Sequence, residues 1–239
     1  MTSPLAAITM LSPHSGGLRG DIDRITPHCV VGQASAESIG YWFQKPSPIH
    51  SCNYGIGLDG KIVCCLPEEY HSYCSSNSDN DSRAITIECA SDTIDPYAMK
   101  PEVITSLVKL CIDICRRYKK TRLVWIDDRD RALKYKPKRN EMLLTVHRWF
   151  DNKSCPGDYL YNRLGEIADA VTEALQMKPE YYETIEDVPD WGWKTITKLI
   201  DRGAIQGDGN GLNMSYDLVR VLVILDRMGV FDNGENIVD

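Results

Sequence analysis

Segments that alternate with period two and segments with the 3.6-residue period of a helix take turns along this sequence, which restricts the chain to strands packed against helices. Ile25-Thr26-Pro27-His28-Cys29-Val30-Val31 reads as the first clear strand, with Ile25, Cys29 and Val31 on one side and Thr26, His28 and Val30 on the other. Pro27 sits uneasily in a central strand because it has no N–H to donate. Ser35 opens a short helix with Ile39, Trp42 and Phe43 as its apolar stripe. Asn53–Cys65 predicts a hairpin, with Asp59-Gly60 as a type I′ turn pair. Arg83–Ala90 is a strand whose Ile85 and Ile87 oppose Thr86 and Glu88. Pro101–Tyr118 is an amphipathic helix with a first-turn proline, and Leu143–Trp149 is a third central strand. Pro156 starts a long helix burying Leu160, Leu164, Ile167, Ala168, Val171 and Leu175. The expected fold class is α/β, a mixed central β-sheet flanked by helices, with a small C-terminal two-helix module.

Charge places the boundary of that module. Residues 179–239 hold 12 acidic and 5 basic side chains, a net of −7, whereas residues 1–178 hold 22 of each. The segment from Lys178 to Glu186 has no periodicity, and two helices follow, Trp191–Arg202 and Ser215–Met228, joined by the glycine-rich turn Gly203–Gly211. Asp208-Gly-Asn-Gly has the wrong offsets for a calcium loop. The predicted organisation is a first domain over 1–177, a linker over 178–186 and a helical module over 187–239.

Composition narrows the partners. An acidic chain gains little from polyanions, so no nucleic-acid partner is expected. The one basic stretch, Arg116–Arg139, reads as a solvated helix end and loop, with its insertion at 127–139 unassigned. The longest apolar runs are too short to span a bilayer, so no membrane insertion is expected. The N-terminal residues have no basic region ahead of an apolar stretch, so no secretory signal is expected. Nine cysteines is an odd number with no framework spacing; Cys89, Cys111 and Cys115 fall in apolar runs as reduced, small hydrophobes.

Only five histidines occur, His14, His28, His50, His71 and His147. His28 and His147 fall at equivalent places in predicted strands, each opposite the apolar side. Either alone reads equally well as a structural polar contact. The segment His147-Arg-Trp-Phe-Asp-Asn-Lys-Ser-Cys155-Pro-Gly changes this, because it puts an imidazole eight residues from a thiol at the expected N-cap of a helix. A helix N-terminus favours thiolate. Two imidazoles and one thiolate make three zinc ligands, the number that catalytic zinc sites use.

His28, the strand ending in Glu88, and His147–Lys153–Cys155-Pro-Gly resemble the type 2 N-acetylmuramoyl-L-alanine amidases, which include phage lysozyme-amidases and animal peptidoglycan recognition proteins. The six- and eight-residue offsets from His147 to Lys153 and Cys155 match the phage pattern, and the resemblance covers roughly residues 5–177. It implies a Zn²⁺ cofactor bound by His28, His147 and Cys155, catalytic roles for Glu88 and Lys153, and a place beside the metal for Tyr54. It implies substrate contact for His71, within Glu69-Tyr-His-Ser-Tyr; Trp149 and Phe150 read equally well as lining the groove or as packed side chains. The implied activity is zinc-dependent hydrolysis of the amide between N-acetylmuramic acid and L-alanine in bacterial peptidoglycan, as an endolysin made in a host bacterial cytoplasm and acting at the wall after holin-dependent or external release. A non-catalytic peptidoglycan receptor is the alternative; retention of Cys155 argues against it. An unrelated zinc metallopeptidase lacks support because no H-E-x-x-H occurs.

Glu186-Asp-Val-Pro-Asp-Trp191 through Gly209 resembles the opening of an S-layer-homology repeat, without its Thr-Arg-Ala-Glu signature. That likeness implies secondary wall polymers as partners. A single two-helix unit buries little surface alone, which predicts a homo-oligomer formed through this module.

Overall fold

The computed structural model describes residues 1–176, 181–209 and 211–232, which fall into two compact units, 1–176 and 177–239. In chain order the first unit comprises β1 (Ile8–Thr9), β2 (Arg24–Cys29), α1 (Ala36–Phe43), β3 (Tyr54–Ile56), β4 (Ile62–Cys64), α2 (Ser78–Asp81), β5 (Ala84–Cys89), α3 (Pro101–Arg117), β6 (Arg122–Val124), α4 (Arg129–Lys134), β7 (Glu141–Leu144), α5 (Asp158–Tyr161) and α6 (Leu164–Gln176). The second comprises β8 (Tyr181–Tyr182), α7 (Asp190–Asp201), β9 (Met214–Ser215) and α8 (Tyr216–Arg227).

The first unit is built on a seven-stranded sheet in the order β1-β4-β3-β5-β2-β7-β6, in which only β3 and β4 pair antiparallel. Strand alternation sends Ile25, Cys29, Ile85, Ile87 and Cys89 to one face, where Val103, Leu107, Leu110 and Ile114 of α3 and Leu164, Ile167 and Val171 of α6 close the main core. The opposite face carries a smaller cluster around Ile39 and Phe43 of α1, Cys52, Val63 and Cys65. Gly55 lets α1 come this close, since a Cβ there would fall 2.5 Å from a methyl of Ile39. Ser35 caps α1 by accepting from Ser38 N–H, as its residue type predicts.

Pro27 occupies a central strand after all. The odd residues of β2 bond toward β7, where Leu143 and Thr145 N–H donate to Asp23 and Ile25 carbonyls. Assigned pairing with β7 ends at Ile25–Leu144, so Pro27 lies just past the last paired residue on that side and its missing N–H breaks no bond within the paired stretch.

Four local expectations need correction. The Asp59-Gly60 turn is not type I′, which needs positive φ at both residues; among non-glycine residues Asp59 has none, and Gly60 alone is left-handed, in a longer loop closed by Gly57 N–H on Lys61 O. Trp42 is not part of the buried stripe of α1: it is 41% exposed, whereas Ile39 and Phe43 are buried. The strand expected over Leu143–Trp149 stops at Leu144, where its pairing ends, and His147–Trp149 form a 3₁₀ turn. Pro156 does not begin a long helix: Gly157 at φ 81 interrupts, α5 spans four residues, and α6 starts at Leu164.

In the second unit, α7 and α8 pack with Tyr182, Val188, Ile196, Met214, Val219 and Val223 at their core. Residues 178–180 of the expected linker lie outside the described residues. Tyr181–Tyr182, also assigned to it, instead form a strand that pairs antiparallel with β9. Ile196 and Leu199 are covered within the unit, but Leu218, Val221, Ile224 and Met228 remain exposed along α8. Among the described residues no helix is long and apolar enough to cross a membrane.

Candidate active site

The C-terminal end of β2 carries His28, and register places Glu88 of β5 directly beside it. Both belong to the polar side of their strands, with Thr26 and Thr86 behind them. His147 arrives from the 3₁₀ turn after β7. The loop from there to Cys155 is folded back by Arg148 N–H donating to Cys155 O at 3.0 Å, which returns the thiol to the imidazoles. Cys155 Sγ lies 3.3 Å from His28 Nδ1, and the His28 and His147 ring centroids are 5.2 Å apart.

Donor atoms of His28, His147 and Cys155 lie within 4.8 Å of one another. His28 is 1% exposed, its Nε2 has no hydrogen-bond partner, and burial first and His147 second push its imidazole down to about 3, so the ring is neutral. Burial lowers His147 also. The thiol of Cys155 is held well above its usual range, by the adjacent Cys29 thiol first and burial second. Cys155 is not at a helix N-cap, the position the sequence suggested; Gly157 is, and no helix dipole favours its thiolate. Two neutral imidazoles and a thiol that would lose its proton to a cation are a donor set suited to zinc.

Glu88 is buried deeply enough that its carboxyl is pushed up to about 7, with a smaller opposing effect from the Cys74 thiol, whose Sγ is 3.6 Å from Oε1. Its Oε2 has no hydrogen-bond partner among the described residues. Lys153 is 55% exposed at the rim, with Nζ 4.0 Å from Asp151 Oδ2. His28, Glu88, His147, Lys153 and Cys155 all line one cleft of about 460 Å³.

Three other sequence-based candidates stand elsewhere. Tyr54 belongs to the opposite face of the sheet, fully buried, where its hydroxyl accepts from Ser3 N–H at 2.7 Å and donates to Glu68 Oε1 at 2.6 Å. The even residues of β3 face the main core, so a tyrosine there cannot reach the cleft. Trp149 is 4% exposed and stacks on Trp125 at 5.1 Å, packed instead of lining a groove. His71 does not line the cleft; its ring sits over Gly16, where a Cβ would fall 1.7 Å away. Phe150, named with Trp149, packs against the main core.

The cleft also has walls that the sequence reading passed over. Trp42, Phe43 and His50 form an aromatic corner, with the His50 ring 5.1 Å from Phe43 and 5.9 Å from Trp42. Tyr73 and Cys74 complete it. His50 was discoverable as one of five histidines, and Trp42 as the odd member of its stripe. No motif in the sequence marks Cys74, one of nine free thiols.

The family described as N-acetylmuramoyl-L-alanine amidase (Amidase_2) matches residues 18–158. In fold, the chain is similar to the catalytic domain of XlyA, with a TM-score of 0.51 and 14% identity, covering 69% of this chain and 97% of that one. A mutant endolysin from Bacillus subtilis gives a TM-score of 0.51 at 13% identity over 69% and 97% of the two chains. The Staphylococcus aureus hydrolase AmiA in complex with its ligand gives 0.50 at 13% identity over 70% and 82%. No curated protein matches the sequence.

Proposed function

Because the chain belongs to the N-acetylmuramoyl-L-alanine amidase family, we propose that it hydrolyses the amide between N-acetylmuramic acid and L-alanine in bacterial peptidoglycan, with zinc as its cofactor. The observation that carries this reading is the convergence of His28, His147 and Cys155 within 4.8 Å, beside a half-buried glutamate whose carboxyl is pushed up to about 7. Zinc held by these three residues would supply Lewis acidity for the scissile carbonyl and acidify water.

The chain's own groups account for the remaining work. Glu88, with a carboxyl near neutrality, accepts a proton from water and returns it to the leaving amine. Lys153 brings positive charge to the cleft rim, where it favours the negative charge that develops on the amide oxygen. The aromatic corner of Trp42, Phe43 and His50 offers apolar faces to a sugar or peptide stem. The endolysin role rests on the phage-like spacing of His147, Lys153 and Cys155.

The second unit is proposed as a wall-binding module that takes secondary wall polymers and self-associates. Its support is the acidic charge of 179–239 and the exposed row Leu218, Val221, Ile224 and Met228 on α8.

Digestion of purified cell wall tests the activity. New α-amino groups of L-alanine should appear without new reducing sugar ends, chelation should abolish release, and Zn²⁺ should restore it. Reducing ends in proportion to lysis would indicate a glycosidase, which needs paired carboxylates about the sugar. Wall binding without any cleavage would indicate a receptor.

A further inference from the structure

Cys74 lines the cleft, and two residues beyond it in the same short loop stands Ser76, which the proposed chemistry does not use. Ser76 Oγ lies 3.1 Å from His147 Nε2. With Nε2 engaged by a hydroxyl, the ring nitrogen left for a cation is Nδ1. A metal-binding histidine usually has its second nitrogen held in this way, which sets tautomer and ring orientation.

Ser76 is exposed, but the two residues before it are anchored. The buried carboxylate of Asp81 accepts from Cys74 N–H at 3.1 Å and from Ser75 N–H and Oγ at 3.2 and 2.7 Å. Next to Asp81, Asn80 Nδ2 donates to Ser75 Oγ at 3.2 Å and to Thr26 Oγ1 at 3.0 Å, and its Oδ1 accepts from Thr145 Oγ1 at 3.0 Å. Thr26 and Thr145 each stand two residues before a histidine of the cluster, His28 and His147. One buried network therefore ties the loop to both segments that bring imidazoles to the cleft.

The backbone agrees. Ser76 is left-handed at φ 58, a conformation that a serine adopts at a cost and that points to a role for its side chain.

We propose that Ser76 is a positioning residue, whose hydroxyl orients His147 so that Nδ1 faces the site shared with His28 and Cys155. This rests on the zinc reading above. Glycine is at ease at a left-handed φ, and asparagine tolerates it while offering an amide oxygen to Nε2–H. The test is zinc affinity and thermal stability of the full chain, compared among wild type, Ser76→Gly and Ser76→Asn. Ser76→Gly should lose roughly 10- to 100-fold in zinc affinity, the range for removing such a partner, and should melt within a few degrees of wild type. Ser76→Asn should recover most of the affinity. Wild-type affinity in Ser76→Gly would overturn the proposal, as would a loss of affinity accompanied by unfolding that Ser76→Asn does not repair. Failure of the wild-type chain to bind zinc would overturn the zinc reading itself, and this inference with it.

Discussion

His28 and Glu88 are cross-strand partners in parallel register on β2 and β5, so the imidazole proposed to hold zinc and a half-buried acid share one step of the sheet. The sheet fixes this pairing through backbone hydrogen bonds, and a one-residue slip of either strand would carry its side chain to the opposite face.

The two residues have separable roles. Glu88→Gln should keep zinc and lose on the order of 10²-fold or more in turnover, as for removal of an acid–base group. His28→Ala or Cys155→Ala should lose the metal. Metal content by elemental analysis, alongside release of L-alanine amino groups, checks both. Near-normal turnover in Glu88→Gln would move proton transfer to another residue.

Zinc affinity should depend on pH through Cys155. Its thiol is held well above the usual range, and the imidazoles are already neutral, so zinc binding at pH 7 to 9 must expel the thiol proton. Apparent affinity should fall about tenfold for each unit the pH drops across that window. A competition titration with a chelator of known pH dependence would show a flat profile if Cys155 were not a ligand.

Tyr54→Phe should affect stability and leave chemistry alone. The lost hydroxyl leaves Ser3 N–H without its acceptor and removes one donor from Glu68, which is fully buried and also held by Arg117 and Tyr118. The expected cost is about 1–3 kcal/mol. Thermal melting together with turnover decides this: a drop in turnover at unchanged stability would return Tyr54 to the active site.

A chain ending at Gln176 keeps both clusters of the sheet domain complete. It should fold, bind zinc and cleave soluble muropeptides, while binding intact walls poorly and sedimenting as a monomer. Equal wall binding and identical sedimentation of the two lengths would remove both proposed roles of the second unit.

Much of this was legible in the sequence because local periodicity reports local burial. The helix over Pro101–Arg117, the serine cap of α1 and the opposition of Ile85 and Ile87 to Glu88 follow from residue spacing alone. The grouping of His28, His147 and Cys155 came instead from the resemblance to the amidase family, carried by the eight-residue spacing of His147 and Cys155, and the fold brings their donor atoms within 4.8 Å. Tertiary structure decided the rest. The family resemblance points to Tyr54 and the nearness of His147 to Trp149, yet strand parity sends one to the far face, and stacking on Trp125 buries the other. Cys74 and Ser76 carry no sequence signal, because their partners, Glu88 and His147, are 14 and 71 residues away. Spacing along a chain records which side of an element a residue takes. Only the packing of distant segments determines what that side chain meets.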